Sequence, residues 1–101
     1  MLVRHATLES LLPAIRREGL LTAKSQGRLK AVWLHKPSRT HWAAHHTVRR
    51  HGGRVEDVAV LELDVPRRLL RRSAVRGLWY CTADVPPGRF GRLIGFQEFS
   101  A

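Results

Sequence analysis

The sequence predicts an α+β fold, a small, mostly antiparallel sheet with two main helices, on three observations. Two segments carry helical spacing between turn signals, residues 10–19 and 39–51. Five segments rich in β-branched, leucine and aromatic side chains read as strands. The last three strands follow one another without a helix between them, which suits antiparallel neighbours better than an alternating parallel sheet. The predicted order is β-α-β-α-β-β-β, in a single domain over residues 1–101 with room for one modest core and one site.

Taken in order, residues 2–5 form a short strand. Ser10 is the expected N-cap of the first helix, with Leu11, Leu12 and Ile15 at core-facing spacing. Pro13 then sits in the first turn, where a missing N–H costs little. Gly19 is the natural C-cap, after which Leu20 and Leu21 fold back onto the core. Residues 22–30, with Gly27, read as a polar loop, and residues 31–35 as a strand broken by Pro37. Ser38 is expected to cap the second helix, which Gly52 and Gly53 stop. Residues 58–65 alternate: Ala59, Leu61, Leu63 and Val65 share one face, while Val58, Val60, Glu62 and Asp64 share the other. Residues 67–72 suggest a single helical turn, residues 78–82 a strand closed by Asp84, Pro86, Pro87 and Gly88, and residues 93–99 a last strand.

The charge balance narrows the partners. Eighteen Lys+Arg against eight Asp+Glu give a net charge of +10 in 101 residues, and fifteen of the eighteen are arginine. Such an excess points to an anionic partner, most simply RNA, DNA or a nucleotide, although arginine richness also serves solubility alone. Arg49, Arg50 and Arg54 form one cluster, and Arg67, Arg68, Arg71 and Arg72 a second. Leucines and glycines interrupt both, as in a folded basic ridge that makes bidentate phosphate contacts. No stretch has the length and apolarity of a membrane span, the opening residues lack the apolar run of a signal peptide, and the single Cys81 forbids an internal disulfide. A cytoplasmic protein with no membrane partner is the expectation.

His5 and His35 end the first two strands, beside loops where sites are commonly built; each can equally be a strand cap. His41 and His45 stand four apart on the second helix, a spacing that can hold zinc, but Trp42 follows His41, and a third ligand is wanting, so no metal is expected. Glu62 and Asp64 serve better as arginine partners than as an acid/base pair. Cys81 reads as an inert core thiol. Trp33, Trp42 and Trp79 either stack on a base or nicotinamide ring or build the core.

Together these segments resemble a minimal ADP-ribosyltransferase fold, closest to the transferase domain of RNA 2′-phosphotransferases. LVRHAT at 2–7 resembles the strand ending in His-Gly-Thr, and RREGL at 16–20 the close of the helix that follows. AVWLH at 31–35, with Trp42, Ala43 and Ala44 beyond it, resembles the second strand and its alanine-rich helix. VAVLELDV at 58–65 and RGLWYCTADVPP at 76–87 resemble the later strands, the last segment most specifically. The resemblance spans nearly the whole chain in the right order.

It implies NAD as co-substrate, held between the first two strands by Arg4, His5, Ala6, Thr7, Trp33 and His35. His5 would hydrogen-bond the nicotinamide-side ribose, Thr7 would shape that wall, and Trp33 or His35 would fill the second-strand position. Ala6 replaces the family's usual glycine. Gly77 falls where many ADP-ribosyltransferases carry a catalytic glutamate, which the phosphotransferases also lack, and the RNA-binding domain of the phosphotransferases has no counterpart in these residues. Arg76, beside Gly77, is the candidate for handling an acceptor phosphate, so His5, His35 and Arg76 form the expected catalytic set. The implied activity is ADP-ribosyl transfer or RNA 2′-phosphotransfer to a nucleic acid or phosphorylated acceptor. The alternative is a non-catalytic nucleic-acid-binding module on the same fold; a zinc-dependent DNA-binding element lacks ligands. The oligomeric state stays open.

Overall fold

Strand β1 (Leu2–Leu8) is the hub of the architecture. The computed structural model describes residues 1–25 and 28–101, and in it β1 pairs antiparallel with both β2 (Val32–His35) and β3 (Val58–Asp64). Strands β4 (Arg71–Arg72) and β5 (Leu78–Cys81) extend the sheet beyond β2, and β6 (Phe90–Ile94) closes it beyond β3. The result is a six-stranded open antiparallel sheet in the order β4-β5-β2-β1-β3-β6. The expected α+β class is therefore observed. Among the described residues no helix is long and apolar enough to cross a membrane.

Both faces of the sheet are covered in part, which is why β3 is apolar at nearly every position. Val3, Val32, Leu34, Leu61, Leu63 and Val65 form one core layer, on which Leu12 and Ile15 of helix α1 (Leu12–Glu18) pack. Val58, Val60 and Ile94 form the other, against Ala44 and Val48 of helix α2 (Thr40–His51). The alternation read from residues 58–65 assigns these faces correctly. On the α2 face, Arg4 donates to Glu62 Oε2 from Nε at 3.0 Å and Nη2 at 2.8 Å, and from Nη1 to Thr40 Oγ1 at 2.9 Å.

Helix α1 ends as expected. The Gly19 N–H donates to Ile15 O at 2.7 Å, and Leu20 and Val85 exchange backbone hydrogen bonds of 2.8 and 2.9 Å. Only glycine serves at position 19: φ is +88°, and a Cβ would stand 2.3 Å from Val85 O. This bond pair ties the first helix to the Val-Pro-Pro segment across the sheet edge.

Several boundaries differ from expectation. β1 runs on to Leu8 because β3 offers a backbone partner to every residue. Neither Ser10 nor Ser38 caps a helix; 3-10 turns at Glu9–Leu11 and Pro37–Arg39 lead into α1 and α2 instead, and Thr40 Oγ1 donates to Pro37 O at 2.8 Å. The turn expected over residues 67–72 is a 3-10 turn at Arg67–Leu69, after which Arg71 and Arg72 pair with β5. The strand expected over residues 93–99 begins earlier, at Phe90, and ends at Ile94. It gives way to helix α3 (Phe96–Phe99), whose two phenylalanines meet edge to face. Within the expected polar loop, Thr22–Lys24 forms a 3-10 turn; Gly27 lies outside the described residues.

Candidate active site

β1 and β2 part company. Arg4 faces His35 in register, and no further residue pair is registered between the two strands, whereas β1 matches β3 over seven positions. With β1 held along its other edge, the divergence opens on the β2 side. Just past the Arg4–His35 pair the His5 side chain takes over from the backbone: its Nδ1 lies 2.8 Å from Trp33 O. A carbonyl only accepts, so Nδ1 carries the proton. Burial holds His5 below its ordinary pKa, against the raising effect of the Trp33 carbonyl and assisted by His51. The neutral ring is left with Nε2 as a hydrogen-bond acceptor.

A cleft of about 590 Å³ opens at this parting, within the usual range for small-ligand and cofactor sites. Its walls come from both sides of the sheet: Ala14, Ile15 and Glu18 of α1, and Trp42, His46 and Arg50 of α2. Four-residue spacing puts these three α2 side chains on one helix face. The Trp42 and His46 rings stack, with centroids 4.8 Å apart and planes 10° apart. His46 is lowered in pKa by burial first and then by Arg50, Arg49 and His51. Arg50 and Lys24 bring positive charge to the cleft, and Glu18 is the carboxylate in its wall among the described residues.

His35 is the singular member of the wall. It is 3% exposed, and its Nε2 is buried without a hydrogen-bond partner among the described residues. Burial, then His5 and Arg4, pushes its pKa down to about 3, so the ring is neutral at physiological pH. A buried, unmatched polar atom costs about 1–3 kcal/mol and is uncommon away from functional sites.

The residues expected to surround a cofactor are brought together unevenly. His5, Ala6, Thr7, Trp33 and His35 all line the cleft. Arg4 does not, since Glu62 and Thr40 occupy its guanidinium on the α2 face. Arg76 is exposed between the cleft-lining Val75 and Leu78, and its carbonyl accepts from Arg39 Nε at 3.0 Å. Gly77 adopts φ +83°, and a Cβ there would meet Lys36 Cε at 2.8 Å and Arg39 Cγ at 3.0 Å. Its carbonyl accepts from the Lys36 N–H at 3.0 Å. A side chain at this turn would be strained by the positive φ and would have to displace the Lys36 and Arg39 side chains, which suits glycine.

The arginine clusters also separate. Arg50 joins the cleft, whereas Arg54 lies 3.7 Å from Glu56 and 3.8 Å from Asp57. Arg49, Arg67, Arg68, Arg71 and Arg72 are exposed and form no salt bridge among the described residues. His41 and His45 approach with ring centroids 4.9 Å apart, and no group of three metal-ligating side chains is found among the described residues. Cys81 is buried, its thiol donating to Ala83 O.

Sequence reasoning singled out Trp42 as a possible stacking ring but missed Glu18 and His46 as members of the cleft that His5 lines. The 42–46–50 spacing was a readable signal for His46; nothing local marks Glu18. No protein-family model matches the chain, and no curated protein is significantly similar to it.

Proposed function

We propose that the protein is an NAD-utilising transferase of the ADP-ribosyltransferase type, akin to RNA 2′-phosphotransferases, acting on a nucleic acid or a phosphorylated acceptor. One observation carries the reading: a cleft of cofactor size opens where β1 and β2 diverge, lined by His5, which Trp33 O fixes, and by the buried His35. NAD supplies the ADP-ribosyl group and nicotinamide as leaving group. The acceptor nitrogen of His5 suits a ribose hydroxyl. Trp33 and the Trp42–His46 stack offer aromatic walls for a planar ring. Arg50 and Lys24 offset a pyrophosphate. Arg76, at the rim, takes the acceptor phosphate.

The test is calorimetric titration with NAD, paired with nicotinamide release. His5→Ala is expected to lose NAD binding with its circular dichroism unchanged; equal binding by the variant would make His5 a structural strap and misplace the pocket. Nicotinamide release is expected to be slow with NAD alone and to rise when 2′-phosphorylated RNA or single-stranded DNA is added. A positioned acid/base group contributes about a hundred- to ten-thousandfold, and the Gly77 turn provides none. That same turn favours the second reading, a nucleic-acid-binding module without turnover, which no release with any acceptor would establish.

A further inference from the structure

On the α2 side of the sheet, α2 packs over β1 and β3. The β2–β5–β4 half of that face carries a row of three side chains. Trp33 of β2 stands opposite Tyr80 of β5, and Tyr80 stands opposite Arg71 of β4. The Trp33 and Tyr80 rings lie 5.3 Å apart, tilted by 46°, and Trp33 remains 42% exposed. Charge converges on the same edge. Arg67, Arg68, Arg71, Arg72 and Arg76 are all exposed, and among the described residues no carboxylate forms a salt bridge with them. The acidic side chains are engaged elsewhere: Glu62 with Arg4 and Arg92, Asp57 with Arg54, Glu98 with Arg92.

We infer that this row is a binding platform for single-stranded nucleic acid. Two aromatic rings in line, Trp33 exposed and Tyr80 half-buried, bordered by exposed arginines, provide both halves of single-strand recognition: π faces for unstacked bases and guanidinium groups for the phosphates between them. A duplex keeps its base faces inside the stack and gains only the charge contacts. Resting on the transferase reading, the platform is where the acceptor strand lies. Trp33 belongs to both row and cleft, and Ser73 and Val75, on the segment that carries Arg71 and Arg76, form part of the cleft wall.

Fluorescence anisotropy with short labelled oligo-dT and oligo-U, a duplex of equal length, polyphosphate and polyglutamate tests this. Both single strands are expected to bind more tightly than the duplex or either polymer. Tyr80→Ala and Trp33→Ala should each weaken oligo-dT binding by about 5- to 100-fold, while Trp33→Phe keeps most of it. Arg71→Gln should make the salt slope shallower by about 0.7, one phosphate contact. Circular dichroism and thermal unfolding establish that each variant is folded, and Tyr80→Ala and Trp33→Ala are independent substitutions on two strands. Tyr80 lies outside the cleft, so Tyr80→Ala should leave NAD titration unchanged. Oligo-dT binding that needs Tyr80 in a protein that ignores NAD upholds the platform and removes only the transferase. Equal binding of duplex, polyphosphate or polyglutamate, or aromatic variants that bind like the parent, overturns the platform whatever NAD does.

Discussion

Along its edge with β3, β1 is matched over seven residues, from Leu2 against Asp64 to Leu8 against Val58; along its edge with β2 it is matched at Arg4 and His35. The first edge closes every backbone bond, buries Val3 and Leu63 completely and seals its polar pair, Arg4 and Glu62, with hydrogen bonds. The second edge substitutes a histidine for backbone pairing, leaves a buried nitrogen unmatched and opens a cleft. One strand thus carries the stability of the fold on one side and its candidate chemistry on the other. The difference teaches how so short a chain accommodates an unmatched buried polar group. The unsatisfied His35 is tolerable because its neighbouring strand is over-determined from the opposite edge.

That contrast is breakable at its strong edge first. Leu63→Ala removes a fully buried side chain between α1 and the sheet and should cost about 2–5 kcal/mol in urea denaturation. Ligand affinity per folded molecule should hold, since Leu63 does not line the cleft. A loss of affinity without loss of stability would show that the two edges are not separable. Arg4→Met, which deprives Glu62 and Thr40 of their shared donor, should cost about 1.5–3 kcal/mol, the range for hydrogen bonds to charged groups.

The open edge is sharpened by pH. The unfolded chain protonates His35 near pH 6.5, while the folded ring stays neutral down to about pH 3. Its contribution is therefore complete above pH 6.5 and drains as the pH falls from 6.5 toward 3. Between pH 6.5 and 5 the loss should be about 2 kcal/mol, read as a falling denaturation midpoint. His5 shifts the same way and adds to the slope. His35→Leu should flatten the acid limb and leave neutral-pH stability equal or higher, because an apolar side chain needs no partner there. An acid limb as steep in His35→Leu as in the parent would place the titration elsewhere.

Much of the fold is legible in the residues because burial imposes a period. The two faces of β3 follow from alternation, and Gly19 marks the end of α1 because a Cβ would strike Val85 O. Pairing, by contrast, is a property of neighbours. β1 reaches Leu8, and Arg71 and Arg72 become a strand, because β3 and β5 supply partners that no local spacing reveals. Phe96 and Phe99, three apart, turn helical once pairing with β3 stops at Ile94.

The same division runs through the site. By itself the sequence determined the α+β class, the apolar faces and the excess of arginine; it put His5 at a strand end, whereas β1 runs on to Leu8 and holds His5 within the strand. Only the tertiary structure decided which side chains share a cleft. It withdrew Arg4 into a pair with Glu62, put Glu18 and His46 in the lining of the same cleft as His5, and set Gly77 at a positive φ against the Lys36 and Arg39 side chains. It also left Trp33, Tyr80 and Arg71 in one open row. The physical reason is that periodicity and charge are local sums over the chain, whereas a cleft arises where two strands diverge, and divergence depends on how firmly each is held by its other neighbour.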